Sequence, residues 1–196
     1  MADQTLLSLL GNFVKEDTIK AIGNTAGTDV PQTKTALQNA LPELIAGLSK
    51  NSKTKEGAES LMNALNDHNG SALNNLPRTI KSSDTQTDGA KILEHVFGGN
   101  QSAVVENVAT KSGISTSSAS GILQTIAPLF LETLGKTKDE QGLTSSNISD
   151  VLSGLLNNQS GGSFLLNLLD QDKDGDIKDD LFSMFINWIK SIFIKK

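Results

Sequence analysis

Apolar residues recur at intervals of three and four along almost the whole chain. Leu6, Leu7, Leu10 and Val14 fall on one stripe, and Leu37, Leu41, Leu44, Ile45 and Leu48 on another. Leu61, Met62 and Leu65 form a third, and Ile122, Leu123, Ile126, Leu129, Phe130 and Leu134 a fourth. A helix brings such positions to one face, whereas a half-buried strand needs strict alternation. No useful length of the chain alternates with β-branched residues. The pattern predicts amphipathic helices throughout, and so an all-α helical bundle. Breaks are expected at Gly23 to Thr28, Asn69-Gly70, Gly98-Gly99, Gly135 and Gly161-Gly162, where the residue types favour helix ends and turns. Asp29 before Pro31, Ser115 to Ser118 and Ser145-Ser146 carry side chains suited to capping helix N-termini.

Lys81 to Asp88 holds no apolar residue and reads as a linker or long loop. It lies between two halves of similar pattern. A shift of 86 residues lays Ile19 on Val105, Ile22 on Val108, Gly27 on Gly113, Leu37 on Leu123, Gln38 on Gln124, Pro42 on Pro128 and Leu48 on Leu134. Five of these seven pairs are identities, a handful over the whole overlap, and two unrelated amphipathic patterns can coincide. The matched glycines and prolines favour a degenerate internal duplication. Pro42 and Pro128 should each start or kink a helix at the same place in its half. The organisation expected is a helical repeat over 1–80, the polar linker 81–88, a second repeat over 89–165, and an acidic loop with an apolar helix over 166–196, together one compact unit.

Composition narrows the chemistry. The 196 residues suffice for a core of useful size, and 37% apolar content is too high for a disordered chain. There are no Cys and no Tyr, two His (His68 and His95), one Trp (Trp188) and one Arg (Arg78). That excludes disulfides, thiolate metal sites and a cysteine nucleophile. One Arg and a net charge of −5 argue against nucleic-acid binding. The acidic start Met1-Ala2-Asp3-Gln4 lacks the basic region of a signal peptide, so a cytoplasmic location is expected. No window holds the ~18 consecutive apolar residues of a membrane span.

The strongest chemical signal runs from Asp170 to Asp180. Asp170, Asp172 and Asp174 stand at positions 1, 3 and 5, Gly175 at 6 and Ile177 at 8, as in the first part of an EF-hand calcium loop. Alternate residues of a tight turn aim three carboxylates at one point, and Gly175 permits the turn. Asp176 would ligate through its backbone carbonyl. Position 12, ordinarily a bidentate Glu, is Leu181, so Asp180, or else Asp179, would have to close the shell. Residues 170–180 hold six Asp and two Lys, a charge of −4, which leaves −1 for the rest of the chain. Such crowding costs energy unless a cation neutralises it. The expected metal ligands are Asp170, Asp172, Asp174, Asp176 and Asp180, with Ca2+ as a structural staple. The alternative is a solvated acidic turn whose last Asp residues favour the start of the next helix.

Beyond the loop, Leu181, Phe182, Phe185, Trp188, Ile189, Ile192 and Phe193 recur at helical spacing, with Lys190, Lys195 and Lys196 toward the end. This segment reads either as a core helix closing the bundle or as a docking helix. In the second case Phe182, Phe185, Trp188 and Phe193 would make peripheral contact with a membrane or a protein partner. His68 and His95 lie far apart in sequence with no partner motif, and read as surface or core residues rather than general bases. Nucleophile-elbow, phosphate-loop and zinc-protease motifs are absent. Gly98-Gly99-Asn100 reads as a helix C-cap turn rather than a phosphate nest. Glu132 and Lys136 read as a surface pair.

Three stretches together resemble the YidB/DUF937 family of bacterial proteins. They are Ile92 to Gln101 with Val104, Val105, Val108 and Ser112-Gly113-Ile114-Ser115; Ile122 to Gly135; and Leu168 to Leu181. The resemblance covers most of residues 90–181. It implies a small all-helical bacterial protein with no established enzymatic activity, and it supplies no catalytic residues. The acidic loop recurs in such proteins. The expectation is a non-enzymatic structural or interaction protein with one structural Ca2+ site. The alternative is a membrane-surface or protein-docking module using the C-terminal apolar helix.

Overall fold

The structure, a computed structural model, describes residues 10–157. All regular structure among them is helical. A 3-10 turn (Gly11–Val14) leads into α1 (Glu16–Ala26), α2 (Val30–Asn51) and α3 (Lys55–Asp67). A second 3-10 segment (Ser71–Asn75) precedes α4 (Leu76–Lys81) and α5 (Ser83–Phe97). The turn Gly98–Asn100 joins α5 to α6 (Gln101–Ser112), followed by α7 (Thr116–Gln141) and α8 (Ile148–Asn157). Leu6, Leu7, Gly161-Gly162, the acidic loop from Asp170 to Asp180 and the apolar segment from Leu181 to Phe193 lie outside the described residues.

The caps form where the sequence offers them. Asp29 accepts from the Gln32 N–H at 2.8 Å, and the Gln32 side chain accepts from the Asp29 N–H at 3.2 Å, a closed capping box at the start of α2. Ser115 accepts from the Ser118 N–H at 3.0 Å at the start of α7. Each long helix is entered the same way. Gly27 ends α1 at φ 71°, and Gly113 ends α6 at φ 64°, a left-handed conformation that L side chains resist. Two residues after each glycine the N-cap follows. Pro42 and Pro128 both lie inside the long helices rather than at their starts.

The long helices α2 and α7 carry the centre of the core. The predicted stripe of Leu37, Leu41, Leu44, Ile45 and Leu48 is buried, and so is that of Ile122, Leu123, Ile126, Leu129, Phe130 and Leu134. One core runs through both halves of the described chain. The packing is reciprocal: α1 lies against α2 and α7, and α6 lies against α7 and α2. The most extensive contact is that of α5 on α7.

That contact replaces the expected linker. Of the polar stretch Lys81 to Asp88, Lys81 closes α4, Ser82 caps α5 and the rest forms its first turns. Several of its side chains bond within the helical body. Thr85 donates to the Thr79 carbonyl at 2.6 Å, and Gln86 Nε2 donates to Thr125 Oγ1 of α7 at 2.6 Å. Gly89 then brings α5 against the α7 backbone, where a Cβ would stand 1.8 Å from the Gln124 oxygen. Pro128 has no N–H to give that carbonyl, four residues back. The helix with a missing donor and the helix with a missing side chain meet at one point.

Gly135 is no break. It sits inside α7, where a Cβ would stand 1.6 Å from the His68 carbonyl oxygen at the end of α3. Both glycines allow close helix approach to fixed backbone. Gly89→Ala and Gly135→Ala should each lower the free energy of unfolding in urea by about 2 kcal/mol or more, the usual cost of forced overpacking. Gly99→Ala, with nothing within 4 Å of its Cβ, should stay within about 0.5 kcal/mol of the parent. Equal effects at all three positions would contradict the close approach.

Candidate functional site

Helices α3 and α5 face each other across a cleft of about 390 Å³. On α5, Asp88, Lys91, Ile92 and His95 share one stripe, at i, i+3, i+4 and i+7. On α3, Gly57, Ser60, Leu61, Ala64 and His68 do the same. Leu48 of α2 and Leu131 of α7 complete an apolar interior beneath a polar rim that includes Asp67. Polar ties close both ends. At one end His68 Nε2 meets Asp88 Oδ2 at 2.9 Å. At the other, Asn51 Nδ2 donates to the Val96 carbonyl at 3.1 Å, and Gly57 lies close to the Asn51 backbone. The two helices therefore run antiparallel across the cleft.

Both ring nitrogens of His68 face acceptors. Its Nδ1 lies 2.9 Å from the Ala64 carbonyl oxygen and its Nε2 2.9 Å from Asp88 Oδ2, an arrangement that favours the protonated ring. Burial pulls the pKa of His68 down. The bonds to Ala64 and Asp88, with the charges of Asp88 and Glu132, outweigh burial and hold it above the ordinary histidine value. The result is a latch between α3 and α5 that is strongest when the imidazole is protonated.

Glu132 completes the polar end of the cleft from beneath. Expected as a surface partner of Lys136, it is buried, because α7 is enclosed along this stretch. Its carboxylate accepts from the Gly70 N–H at 2.7 Å and the Ala72 N–H at 3.4 Å, at the turn that follows α3. Lys136 instead lies 4.0 Å from Glu140. A second buried carboxylate, Glu43 of α2, accepts from Asn107 Nδ2 of α6 at 2.6 Å. Burial pushes its pKa up to about 7, against the opposing charge of Lys111 and the bond from Asn107.

The fold thus brings both histidines to one cleft but to opposite ends, with His95 exposed on the α5 stripe near Asn51. Both nitrogens of His68 face acceptors, and its contact with Asp88 ties α3 to α5. The spacing of Asp88, Lys91, Ile92 and His95 was the readable signal for this cleft. The lack of apolar residues from Lys81 to Asp88 hides it, because such a stretch has the composition of a linker. At the other end of α5, Gly98 closes the helix with its N–H on the Glu94 carbonyl, in keeping with a C-cap turn. Glu94 and Glu106 line the shallow hollow beside it, which disfavours a phosphate there.

The expected metal ligands Asp170, Asp172, Asp174, Asp176 and Asp180 lie outside the described residues. Among the described residues no group of three or more His, Cys, Asp or Glu is placed to hold a metal. No described helix is long and apolar enough to cross a membrane. A family model described as a bacterial protein of unknown function (DUF937) matches residues 8–137. The match includes the cleft and most of both long helices, and ends before α8 and the acidic loop. No curated protein and no solved structure matches the chain.

Glu43, at the α2–α6 contact away from the cleft, gives the helical body a pH signature. Its folded-state pKa, about 7, exceeds the ordinary carboxyl value of 4.5. The folded state therefore binds its proton more tightly than the unfolded state does. The stability this contributes is present below the unfolded value and lost as pH rises through the folded one. Relative to Glu43→Gln, the parent should lose stability between about pH 5 and about pH 8, by ~3 kcal/mol at most. Urea midpoints of the two proteins across that range test it. Parallel profiles would mean that Glu43 titrates as an ordinary carboxyl.

Proposed function

The chain belongs to the DUF937 family of bacterial proteins of unknown function, and on that premise we propose a non-enzymatic structural or interaction protein. We read it as stapled by a single Ca2+ in the EF-hand-like loop from Asp170 to Asp180. The observation that carries the non-enzymatic reading is the state of His68. The cleft's most enclosed titratable side chain has one nitrogen against the Ala64 carbonyl of its own helix and the other against Asp88 of α5, so that neither faces open space in the cleft. Glu43 and Glu132 are likewise occupied with fastening. A helical body whose buried acids and His68 are occupied in ties between its elements suits a protein that holds shape and binds.

The calcium reading rests on the spacing of Asp170, Asp172, Asp174 and Gly175, and on the local charge of −4. Ca2+ takes six to eight oxygens at ~2.3–2.6 Å, which alternate carboxylates on a turn can supply. We also read the helical body as two diverged copies of one unit, a short helix, a left-handed glycine and a long proline-containing helix. The 86-residue offset supports this by pairing Gly27 with Gly113, Asp29 with Ser115 and Pro42 with Pro128. So does the reciprocal packing of α1 and α6 on both long helices.

Calorimetric titration of Ca2+ into chelator-treated protein, with thermal melting in parallel, tests the staple. The expected result is saturable 1:1 binding with a raised melting point, lost in Asp172→Ala and Asp174→Ala. A hundredfold excess over Kd adds ~2.7 kcal/mol to the folded state, enough to move the melt. No heat and no shift would reduce the loop to a solvated acidic turn. Generic esterase, phosphatase and peptidase substrates should give no turnover above buffer. Turnover that disappears in His68→Gln or His95→Gln would overturn the non-enzymatic reading.

A further inference from the structure

We propose that the Asn69–Gly70 peptide is a latent site of self-modification, held closed while Glu132 of α7 grips the Gly70 N–H and opened when the turn after α3 leaves α7. The modification is loss of the Asn69 side-chain amide through a cyclic imide. Asn69-Gly70 is the one Asn-Gly step in the chain, and Gly70 has no side chain to shield its nitrogen. That nitrogen gives up its proton and forms a bond to Asn69 Cγ. The Cγ–Nδ2 bond breaks, and ammonia leaves with the proton. Water then opens the five-membered imide at either carbonyl. Position 69 is left with a carboxylate, either on the normal backbone or as an isoaspartate with one more methylene in the backbone.

The turn holds one partner of this reaction ready and the other blocked. Asn69 is exposed, and its Oδ1 accepts from the Ser71 N–H at 3.0 Å. A side chain bonded two residues on lies folded over the peptide between, and the same N–H polarises the carbonyl under attack. The nitrogen is the blocked partner. Gly70 is buried, and its N–H donates to Glu132 Oε2 at 2.7 Å. Removing that proton would leave an anion against the Glu132 carboxylate, and the bond holds the peptide plane in place. The fold also needs this glycine. It sits at φ 90°, and a Cβ on it would stand 2.7 Å from Lys136 Cβ. A bulkier residue would slow imide formation but would strain the backbone and collide with α7. The reactive pair stays, and the Glu132 carboxylate restrains it.

Reaction would make an opening of α3 permanent. A carboxylate at position 69 stands two residues from Asp67 and next to the N–H that Glu132 grips, so like charges oppose closure. In the isoaspartate, an added methylene lengthens the backbone between His68 and Gly70. Each of those residues has its own fixed partner, Asp88 for His68 and Glu132 for Gly70. Both partners cannot be regained at the old spacing. The turn thereby records that α3 has been released.

The test incubates the full chain at neutral pH and follows the Asn69 peptide by mass spectrometry, with isoaspartate detected by enzymatic methylation. The folded parent should react at least about tenfold more slowly than the same chain unfolded in guanidinium chloride. Glu132→Ala, checked by circular dichroism for an intact helical body, should recover most of that difference. Glu132→Gln keeps an acceptor for the Gly70 N–H and should stay within about threefold of the parent. Val108→Ala weakens the core at α6, which packs chiefly on α2 and α7, and should leave the Asn69 rate near the parent's. In the parent itself, the rate should rise at guanidinium concentrations below the global transition, because the turn opens first. A folded parent that reacts as fast as the unfolded chain would overturn the proposal. So would a folded Glu132→Ala at the parent's rate, an equal acceleration by Val108→Ala, or a parent rate that rises only with global unfolding.

Discussion

A helix enclosed on every side must account for each of its polar groups without water, and α7 is such a helix. Every residue from Thr125 to Gly135 is buried. Thr125, Thr133 and Thr137 return their hydroxyls to carbonyls one turn back, at Gly121, Leu129 and Thr133. Glu132 cannot do so, and takes N–H groups from the turn after α3. Pro128 withholds a donor from Gln124, and α5 approaches that carbonyl through Gly89. An unmet buried polar group costs about as much as several good apolar contacts return. The turn after α3 meets the demand of Glu132 through the Gly70 and Ala72 N–H groups, and α5 adds a bond from Gln86 to Thr125.

The same requirement explains why the titratable groups of the body act as fasteners. Glu43 joins α2 to α6, Glu132 joins α7 to the turn at Gly70, and His68 joins α3 to α5. A buried charge is tolerable when paired and bonded, and breaking one partner away is costly. Between α3 and α5 these ties sit at the ends, and the middle is left as a cleft. The cleft is thus a product of how the helices are pinned, with its shape set by contacts outside its apolar interior.

The sequence was most informative where one physical rule acted alone. The stripes on α2 and α7, the capping box at Asp29 and the cap at Ser115 needed only helical periodicity and local hydrogen bonding. It misled where tertiary contact reversed a local preference. Lys81 to Asp88 lacks apolar residues, yet Gln86 and Thr85 find partners that a linker would not offer, and Gly89 rewards close approach. Gly135 is a helix breaker by propensity, but a turn of α3 needs the space its side chain would fill. Glu132 and Lys136 have the spacing of a surface pair, and no local rule shows that α7 has no surface there. The cleft stayed hidden for the same reason, since its α5 wall begins inside the supposed linker. The calcium loop and the apolar stripe rest on the sequence alone, because both lie outside the described residues.

Two of these fasteners respond to acidity in the same sense. Glu43 and His68 both hold their protons more tightly in the folded chain than their ordinary values imply, Glu43 through burial and His68 through its acceptors and the nearby carboxylates. Each contribution is therefore present at low pH and lost as pH rises through the folded-state value. When His68 loses a proton, one ring nitrogen presents a lone pair to an acceptor, either the Ala64 carbonyl or the Asp88 carboxylate. Attraction at that contact turns to repulsion, and α3 is the helix least able to absorb the change. Its packing on α2 and α7 is slighter than that of α5 on α7. The wall of the cleft that carries His68 is thus also the one with the slighter contact to the long helices, so the tie to Asp88 is a larger share of what holds α3 in place.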